Sequence, residues 1–183
     1  MTSSVKRLHL LYSAHGVFML ASIMLVPLFA IFATEAGASL LIVSYLGSAY
    51  FATKTIGVLM IRYITPTINQ AGLCLQCSYL IKALCWLGLI FSNSIILVFA
   101  VQAVLGLAEG IQSPAFRTLT AHNLTPGKEM AQYADWEIIL ALTGIIGTSL
   151  GGYIATNYGF NGLFFIMIIL SFTALVLSIK VAK

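Results

Sequence analysis

The stretch IILVFAVQAVLGLAEGIQSPA, residues 95–115, decides the class of this chain. Its residues are apolar, small or uncharged except for Glu109, which lies in the second half of the run. A mostly apolar run of about 20 residues is the length at which an α-helix crosses the ~30 Å hydrocarbon core of a bilayer. The stretch therefore predicts a membrane-spanning helix that carries a carboxylate inside the membrane.

The rest of the chain has the same character. Of its 183 residues, 60% are hydrophobic and 8% are charged, whereas a soluble domain carries about 25% charged residues. A chain of this length could not bury so much apolar surface in water, so lipid must solvate most of it. Turn residues separate six apolar runs, at 8–32, 39–61, 71–91, 95–115, 132–156 and 163–179. We predict one domain, 1–183, that is an all-α membrane protein of six transmembrane helices.

The positions of Lys and Arg indicate the orientation, because cytoplasmic loops are enriched in these residues. With the N-terminus inside, the cytoplasmic side carries Lys6, Arg7, Arg62, Arg117, Lys128, Lys180 and Lys183. The three outer loops contain no Lys or Arg. We expect a multi-pass protein of the plasma or inner membrane with both termini in the cytoplasm. The net charge of +4 reflects this asymmetry, and the basic residues are too scattered to indicate nucleic-acid binding.

Two short patterns match catalytic motifs in spacing but lack the required context. Cys74-Leu-Gln-Cys77 has the C-x-x-C spacing without the βαβ unit in which redox motifs work. Gly147-Thr-Ser-Leu-Gly151 matches the G-x-S-x-G pattern of serine hydrolases, but it lies inside an apolar run with no preceding strand. We predict a helix-packing face instead, formed by Gly106, Gly110, Gly147, Gly151 and Gly152. The sequence predicts no enzyme, no metal site and no cofactor.

Ionisable residues inside the predicted spans are the strongest functional signal, because each is costly in hydrocarbon and usually faces a partner or a water-filled cavity. Glu109 shares one helical face with Gln102, Gly106 and Ser113. This face predicts either contact with a cavity or a buried structural pair between Glu109 and Lys82 or Lys54. Lys54 could also extend to the membrane surface from the inner end of its helix.

The first predicted helix has a polar face of its own, formed by Tyr12, His15, Met19 and Ser22. These side chains predict either the lining of a pathway or hydrogen bonds between helices. Pro27, further along the same run, predicts a kink.

The chain resembles the major facilitator superfamily over nearly all of its length, most strongly from the fourth predicted helix onward. The resemblance rests on 105–114 (LGLAEGIQSP), 124–129 (LTPGKE), 147–153 (GTSLGGY), 158–160 (YGF) and 163–165 (LFF). In order, these are a Gly-rich helix with a Pro at its inner end, a cytoplasmic loop, a second Gly-rich helix and a short Gly-aromatic turn. They are similar to helices four to six of the superfamily's N-terminal half. The resemblance implies a half-transporter built as two inverted three-helix repeats.

The resemblance also implies a cytoplasmic gate. The family's loop between helices two and three usually reads Gly, three residues, Asp, Arg, one residue, Gly and two basic residues. This chain keeps Gly57 and Arg62, but has Ile61 in place of the Asp and 64–66 (ITP) in place of the Gly and the basic pair. The other predicted gate residues are Arg117, Asp135 and Glu137. Alternatively, the two acidic residues stabilise the N-terminus of their helix by interacting with its dipole.

Function follows from the family's usual plan of twelve spans in two halves, with helices one and four of each half on the substrate axis. One half alone would expose that lining to lipid, so we expect a homodimer with C₂ symmetry. We expect it to move a small solute by alternating access, coupled to a proton carried by Glu109. Lys82 would pair with Glu109 or bind an anion. The predicted pathway comprises His15, Met19, Ser22, Lys54, Lys82, Gln102, Glu109 and Ser113. The alternative is a non-transporting scaffold, or an accessory subunit of a heteromeric transporter, which the departures at 61–66 favour.

Overall fold

The computed structural model describes residues 3–64, 66–91 and 94–180, and every regular element among them is helical. The turn residues Ser92 and Asn93, Thr65 of the predicted gate loop and the predicted cytoplasmic cation Lys183 lie outside the described residues. The helices, numbered in chain order, are α1 (Ser3–Leu25), α2 (Phe29–Glu35), α3 (Leu40–Ile64), α4 (Ile68–Ile90), α5 (Ile95–Asn123) and α6 (Glu129–Ile179).

Four helical stretches of the described residues are long and apolar enough to cross a membrane. They are Val5–Glu35, Ile68–Ile90, Ile95–Asn123 and Glu129–Ile179. Within the first stretch, Pro27 lies in a 3₁₀ turn (Val26–Leu28) that joins α1 to α2, at the position where the sequence predicts a kink. Proline lacks the N–H that an α-helix needs at an interior position. Helix α3, which carries Lys54 and Arg62, is not one of the four stretches.

Local sequence explains where two helices begin. The backbone N–H of Thr67 donates to Gln70 Oε1 at 2.7 Å in a capping box, so α4 begins at Ile68 rather than at residue 71. Ser94 Oγ accepts from the backbone N–H of Ile96 at 3.3 Å and caps α5. Helix α5 then continues through Pro114 to Asn123, past the end predicted at residue 115.

Helix α6 is interrupted at Gly159, which has φ 70° and ψ 178°. This region of backbone space is essentially restricted to glycine. At the same level, the ring of Phe160 packs 5.2 Å from that of Phe32 on α2. The sequence predicts a turn over 157–159, and Gly159 is the one residue of the three with non-helical backbone angles.

The two arms of α6 run in opposite directions. In the first arm, the backbone carbonyl of Gln132 accepts a hydrogen bond from Tyr12 of α1 at 3.1 Å. In the second arm, Ser171 Oγ donates to the carbonyl of Tyr79 on α4 at 2.9 Å, and Tyr79 in turn bonds His15, one turn from Tyr12. A straight helix would separate the two α6 contacts by about 58 Å. The chain therefore reverses direction at Gly159.

The apolar core lies where α1, α4, α5 and α6 meet. Its fully buried large side chains include Leu11, Tyr12, Phe18, Leu75, Tyr79, Phe164 and Met167. Helix α3 packs mainly on α5 and contributes Leu46 to this core. Leu46 and Gly57 are its buried residues. A cavity remains between α3 and the core helices.

Candidate functional site

A cavity of about 460 Å³ lies between α1, α2, α3, α4 and α5. Its walls are mostly apolar and aromatic, which suits a small organic ligand. The lining residues are Met19, Ser22, Ile23, Leu25, Val26, Phe29, Gly47, Tyr50, Phe51, Lys82, Trp86, Gln102, Leu105 and Glu109. One acid and one base therefore stand in a wall that is otherwise uncharged and mostly apolar.

Glu109 lies at the centre of a three-residue charged cluster. Its Oε2 accepts a hydrogen bond from Lys82 Nζ at 2.5 Å, and its Oε1 lies 3.7 Å from Lys54 Nζ. The three side chains come from α5, α4 and α3 respectively. These are the ion pairs found between described side chains, and both use Glu109. The cluster thus joins three helices at the cavity wall.

Exposure differs sharply between the two lysines. The Lys82 side chain is 6% exposed, whereas that of Lys54 is 33% exposed and that of Glu109 is 23% exposed. The Lys82 ammonium also lies 4.8 Å from the centre of the Phe18 ring, a cation–π contact. A buried ammonium needs such partners because it has lost its water. Lys82 is therefore the anchored member of the cluster, and Lys54 is the accessible one.

Three glycines bring α3 and α5 close enough for Lys54 to reach Glu109. A Cβ at Gly106 would collide with the backbone carbonyl of Tyr50, and one at Gly110 would collide with the carbonyl of Lys54 and lie 3.0 Å from Gly57 Cα. The two backbones are thus in direct contact, as small residues permit in membrane helices. The cluster depends on this approach, because Glu109 lies between the two glycines of α5.

Two more of the predicted packing glycines hold α6 against α1. A Cβ at Gly147 would lie 3.2 Å from the Leu20 carbonyl oxygen, and one at Gly151 would lie 2.9 Å from Met24 Cα. Gly152 does not share this role, since a Cβ there would meet no described atom within 4 Å. One residue along a helix is a rotation of about 100°, so Gly152 points away from α1. This corrects the prediction for Gly152 within this chain.

The predicted polar face of α1 divides between two environments. Met19 and Ser22 line the cavity, whereas His15 is buried, with Nδ1 2.8 Å from the Tyr79 hydroxyl. The His15 ring stacks on Phe116 at 3.9 Å and lies near Trp136. His15 therefore makes a hydrogen bond between helices, whereas Met19 and Ser22 line the cavity.

The structure brings most of the predicted pathway residues together. Met19, Ser22, Lys82, Gln102 and Glu109 surround one cavity, and Lys54 reaches it through its ion pair with Glu109. Glu109 thus lines a cavity and also pairs with both lysines, and which of the two is its role stays a prediction. Three predicted members do not themselves line the cavity, namely His15, Lys54 and Ser113.

No ion pair between described side chains joins the predicted gate residues to one another. Gly57 is buried in the contact between α3 and α5. The side chains of Arg62, Arg117, Asp135 and Glu137 are exposed, and no ion pair between described side chains includes them. In the region that the structure describes, the role of these residues as a gate stays a prediction.

Sequence reasoning missed the aromatic walls. Tyr50 precedes Lys54 by one helical turn, and Trp86 follows Lys82 by one turn, so each shares a helix face with a lysine of the cluster. Both line the cavity, together with Phe51. Searching one turn from each intramembrane lysine would have found them.

The hydrolase-like motif is part of a regular helix. Ser149 Oγ donates to the carbonyl of Ile145 at 2.9 Å within α6, so the sharp turn that exposes a serine nucleophile does not occur there. Among the described residues, no group of three or more His, Cys, Asp or Glu side chains could hold a metal ion.

Apolar helices of membrane-spanning length, packed around a charged cluster and a cavity, define a multi-pass membrane protein. The family model of the Major Facilitator Superfamily matches residues 11–182, and the chain belongs to this superfamily, whose members are transporters rather than enzymes. The family predicted from the sequence is thereby confirmed.

Two curated relatives share the same description. "Multidrug export protein EmrB" of Escherichia coli (strain K12) is 21% identical over 147 residues, which are 80% of this chain and 28% of that protein. The protein of the same name from Haemophilus influenzae is 23% identical over 150 residues, which are 81% of this chain and 29% of that protein. The chain thus spans less than a third of the length of these relatives.

Proposed function

We propose that the chain is a six-span half of a secondary transporter that moves a small solute by alternating access. In this proposal the spans are α1 with α2, then α3, α4 and α5, and then the two arms of α6. They would form two inverted three-helix repeats. The reversal of α6 at Gly159 supports this count, because it gives α6 two antiparallel arms. Helix α3 carries the charged Lys54, which pairs with Glu109. This is consistent with a span that faces a cavity on one side instead of being surrounded by lipid.

The observation that carries the proposal is the charged cluster at the cavity wall. Ionisable side chains inside a membrane domain usually mark a substrate or proton pathway. Glu109 combines accessibility from the cavity with contact to two cations on neighbouring helices. A proton on Glu109 would break both ion pairs and free α3 and α4 to move relative to α5. We propose this event as the coupling step.

We propose that the protein lies in the inner membrane of the cell, with both termini in the cytoplasm. The distribution of cations along the sequence supports this orientation, since Arg62 and Lys128 flank the loops before α4 and α6. The printed names of the bacterial relatives favour drug-like compounds as the substrates.

A second six-helix unit would complete the substrate path, and we propose a second copy of this chain. The cavity lining includes α1 and α5, the first and fourth proposed spans, which the family's plan places on the substrate axis between two halves. Size-exclusion chromatography with light scattering in mild detergent tests this part of the proposal. A stable monomer that transports would refute the dimer.

Flux measurements in proteoliposomes containing only this chain test transport itself. A pH jump should drive accumulation of at least one of a set of chemically diverse solutes. Glu109→Gln should abolish this pH-driven accumulation but retain exchange of solute across the membrane at equal pH. Glu129→Gln is the matched control, because Glu129 is an exposed carboxylate at the start of α6, outside the cavity.

Two outcomes would overturn the proposal. If Glu109→Gln accumulates solute as well as the native chain, Glu109 does not couple protons to transport. If no solute moves in any condition, the accessory or scaffold role is favoured, which the departures at Ile61 and Pro66 from the family's loop also support. Flux that appears only with a co-purified second protein would identify an accessory subunit.

A further inference from the structure

We propose that the cavity selects amphipathic solutes with one negative charge, and that such an anion binds together with a proton on Glu109. The inference rests on the proposed transport function but concerns the ligand class and the sense of coupling. It starts from the formal charges of the cluster. Two ammonium groups face one carboxylate within 4 Å, so the ionised cluster carries one surplus positive charge.

Lys54 is the group that carries this surplus. Lys82 donates a hydrogen bond to Glu109, is buried and lies against Phe18. Lys54 lies 3.7 Å from Glu109, which is beyond hydrogen-bond distance, and it makes no hydrogen bond to another described residue. An ammonium has three N–H donors. Lys54 does not line the cavity itself, but it is one-third exposed and lies next to Glu109, which does, so these donors can reach an anionic group that enters beside Glu109.

The walls next to the cluster fit the apolar part of the same solute. Tyr50 lies one turn before Lys54 and Trp86 one turn after Lys82, and both line the cavity. Gln102 and Ser22 add neutral hydrogen-bonding groups. A cationic solute would find one carboxylate that is already paired with two lysines. An anion meets a cation whose donors are open, so charge favours the anion.

The position of Glu109 fixes the sense of coupling. An anion at Lys54 would lie close to Glu109 and repel its negative charge, so a proton from water should move to Glu109 as the anion binds. The two events must favour each other equally, by linkage. The titratable and charged groups that face Glu109 or its partners from neighbouring helices are Tyr50 and Lys54 on α3, Tyr79, Lys82 and Cys85 on α4, and His15 on α1.

Binding can be measured without transport. The chain has two tryptophans, so Trp136→Phe leaves Trp86 as a fluorescent reporter in the cavity wall. The protein in lipid nanodiscs would be titrated with three probes that share one apolar cage: adamantane-1-sulfonate, adamantan-1-ylmethylammonium and adamantan-1-ol. The sulfonate stays ionised from pH 6 to pH 8. We expect the sulfonate to bind about tenfold more tightly than the ammonium probe, the usual scale for one charge-assisted contact.

Variants separate the roles of the two residues. Lys54→Gln should weaken sulfonate binding about tenfold and leave the alcohol unchanged, whereas Lys54→Arg should retain the sulfonate. Lys128→Gln removes an exposed lysine outside the cavity and is the matched control. Sulfonate binding should strengthen from pH 8 to pH 6 by roughly 5-fold or more. Glu109→Gln should bind it tightly at both pH values, because Gln imitates the protonated acid.

The results distinguish this inference from the transport proposal. Equal binding of the sulfonate and the ammonium probe, or an unchanged sulfonate affinity in Lys54→Gln, would refute anion selection even if proteoliposomes transport another solute. A pH dependence that persists in Glu109→Gln would refute the coupling. Selective sulfonate binding without flux would support the site and refute transport by this chain alone. Monodisperse elution of each variant confirms that loss of binding is not loss of folding.

Discussion

Gly151 and Gly152 are neighbours on α6 that face different surroundings, and substituting each with alanine isolates the contact between α6 and α1. A Cβ at Gly151 would lie 2.9 Å from Met24 Cα and 3.0 Å from Met24 C, and still closer to the Met24 carbonyl oxygen. These are backbone atoms, so no side-chain rotation relieves the overlap and the helices must separate. A Cβ at Gly152 would meet no described atom within 4 Å.

The magnitudes follow from two opposing effects. Overpacking a well-packed contact costs roughly 1–3 kcal/mol, and a clash with backbone belongs at the upper end. Replacing glycine by alanine inside a helix contributes about 1 kcal/mol of stability. We therefore expect Gly151→Ala to lose about 2 kcal/mol of unfolding free energy and Gly152→Ala to gain up to about 1 kcal/mol. The two variants should differ by roughly 3 kcal/mol.

Unfolding by SDS in mixed micelles, followed by far-UV circular dichroism, measures this difference by extrapolation to zero SDS. Both variants change the same residue type in the same helix, so differences in helix propensity cancel. Equal stability of the two variants would refute the inferred packing of α6 on α1.

Three further predictions concern other contacts. Gly159→Ala should destabilise the chain by about 1–3 kcal/mol, because alanine is strained at φ 70°. SDS unfolding should show no such loss for Gly144→Ala, since Gly144 is helical and a Cβ there would meet no described atom within 4 Å. Lys82→Met should lower the unfolding free energy by about 1–3 kcal/mol, which is less than for a fully buried pair because Glu109 keeps its contact with Lys54 and part of its exposure. Adding Glu109→Gln should recover most of this loss, and a double variant as unstable as Lys82→Met would argue against the pair. Gly110→Ala should push α3 away from α5 and weaken sulfonate binding as Lys54→Gln does, while a retained affinity would separate the glycine contact from the site.

The sequence predicted the helical regions well because hydrophobic runs reflect a simple requirement, the burial of backbone in lipid. Their ends were less predictable. The capping box of Thr67 and Gln70 is visible in the sequence and explains the earlier start of α4. The continuation of α5 through Pro114 is not visible, because neighbouring helices decide whether a membrane helix tolerates proline.

The site was predictable in its residue types but not in its geometry. Glu109, Lys82 and Lys54 stand out in any apolar sequence, and a pair between them was one of two interpretations. Which lysine lies at 2.5 Å and which at 3.7 Å depends on the packing of α3 and α4 on α5. No rule of spacing along one helix contains that information. For the same reason a shared helix face could not separate His15, which is buried behind the cavity, from Met19, which lines it.

Stability alone does not account for the charged cluster. A buried ion pair can often be replaced by apolar residues at little or no cost, so the pair of Lys82 and Glu109 is weak evidence for a structural role. The position of Lys54 weakens the case for a structural role further. Lys54 adds a second cation to a carboxylate that is already hydrogen-bonded, and at 3.7 Å it gains no hydrogen bond from Glu109. If the cluster served only to join helices, an apolar residue at position 54 would pack at lower cost. The surplus ammonium is explained if a negatively charged ligand is the partner that completes the cluster.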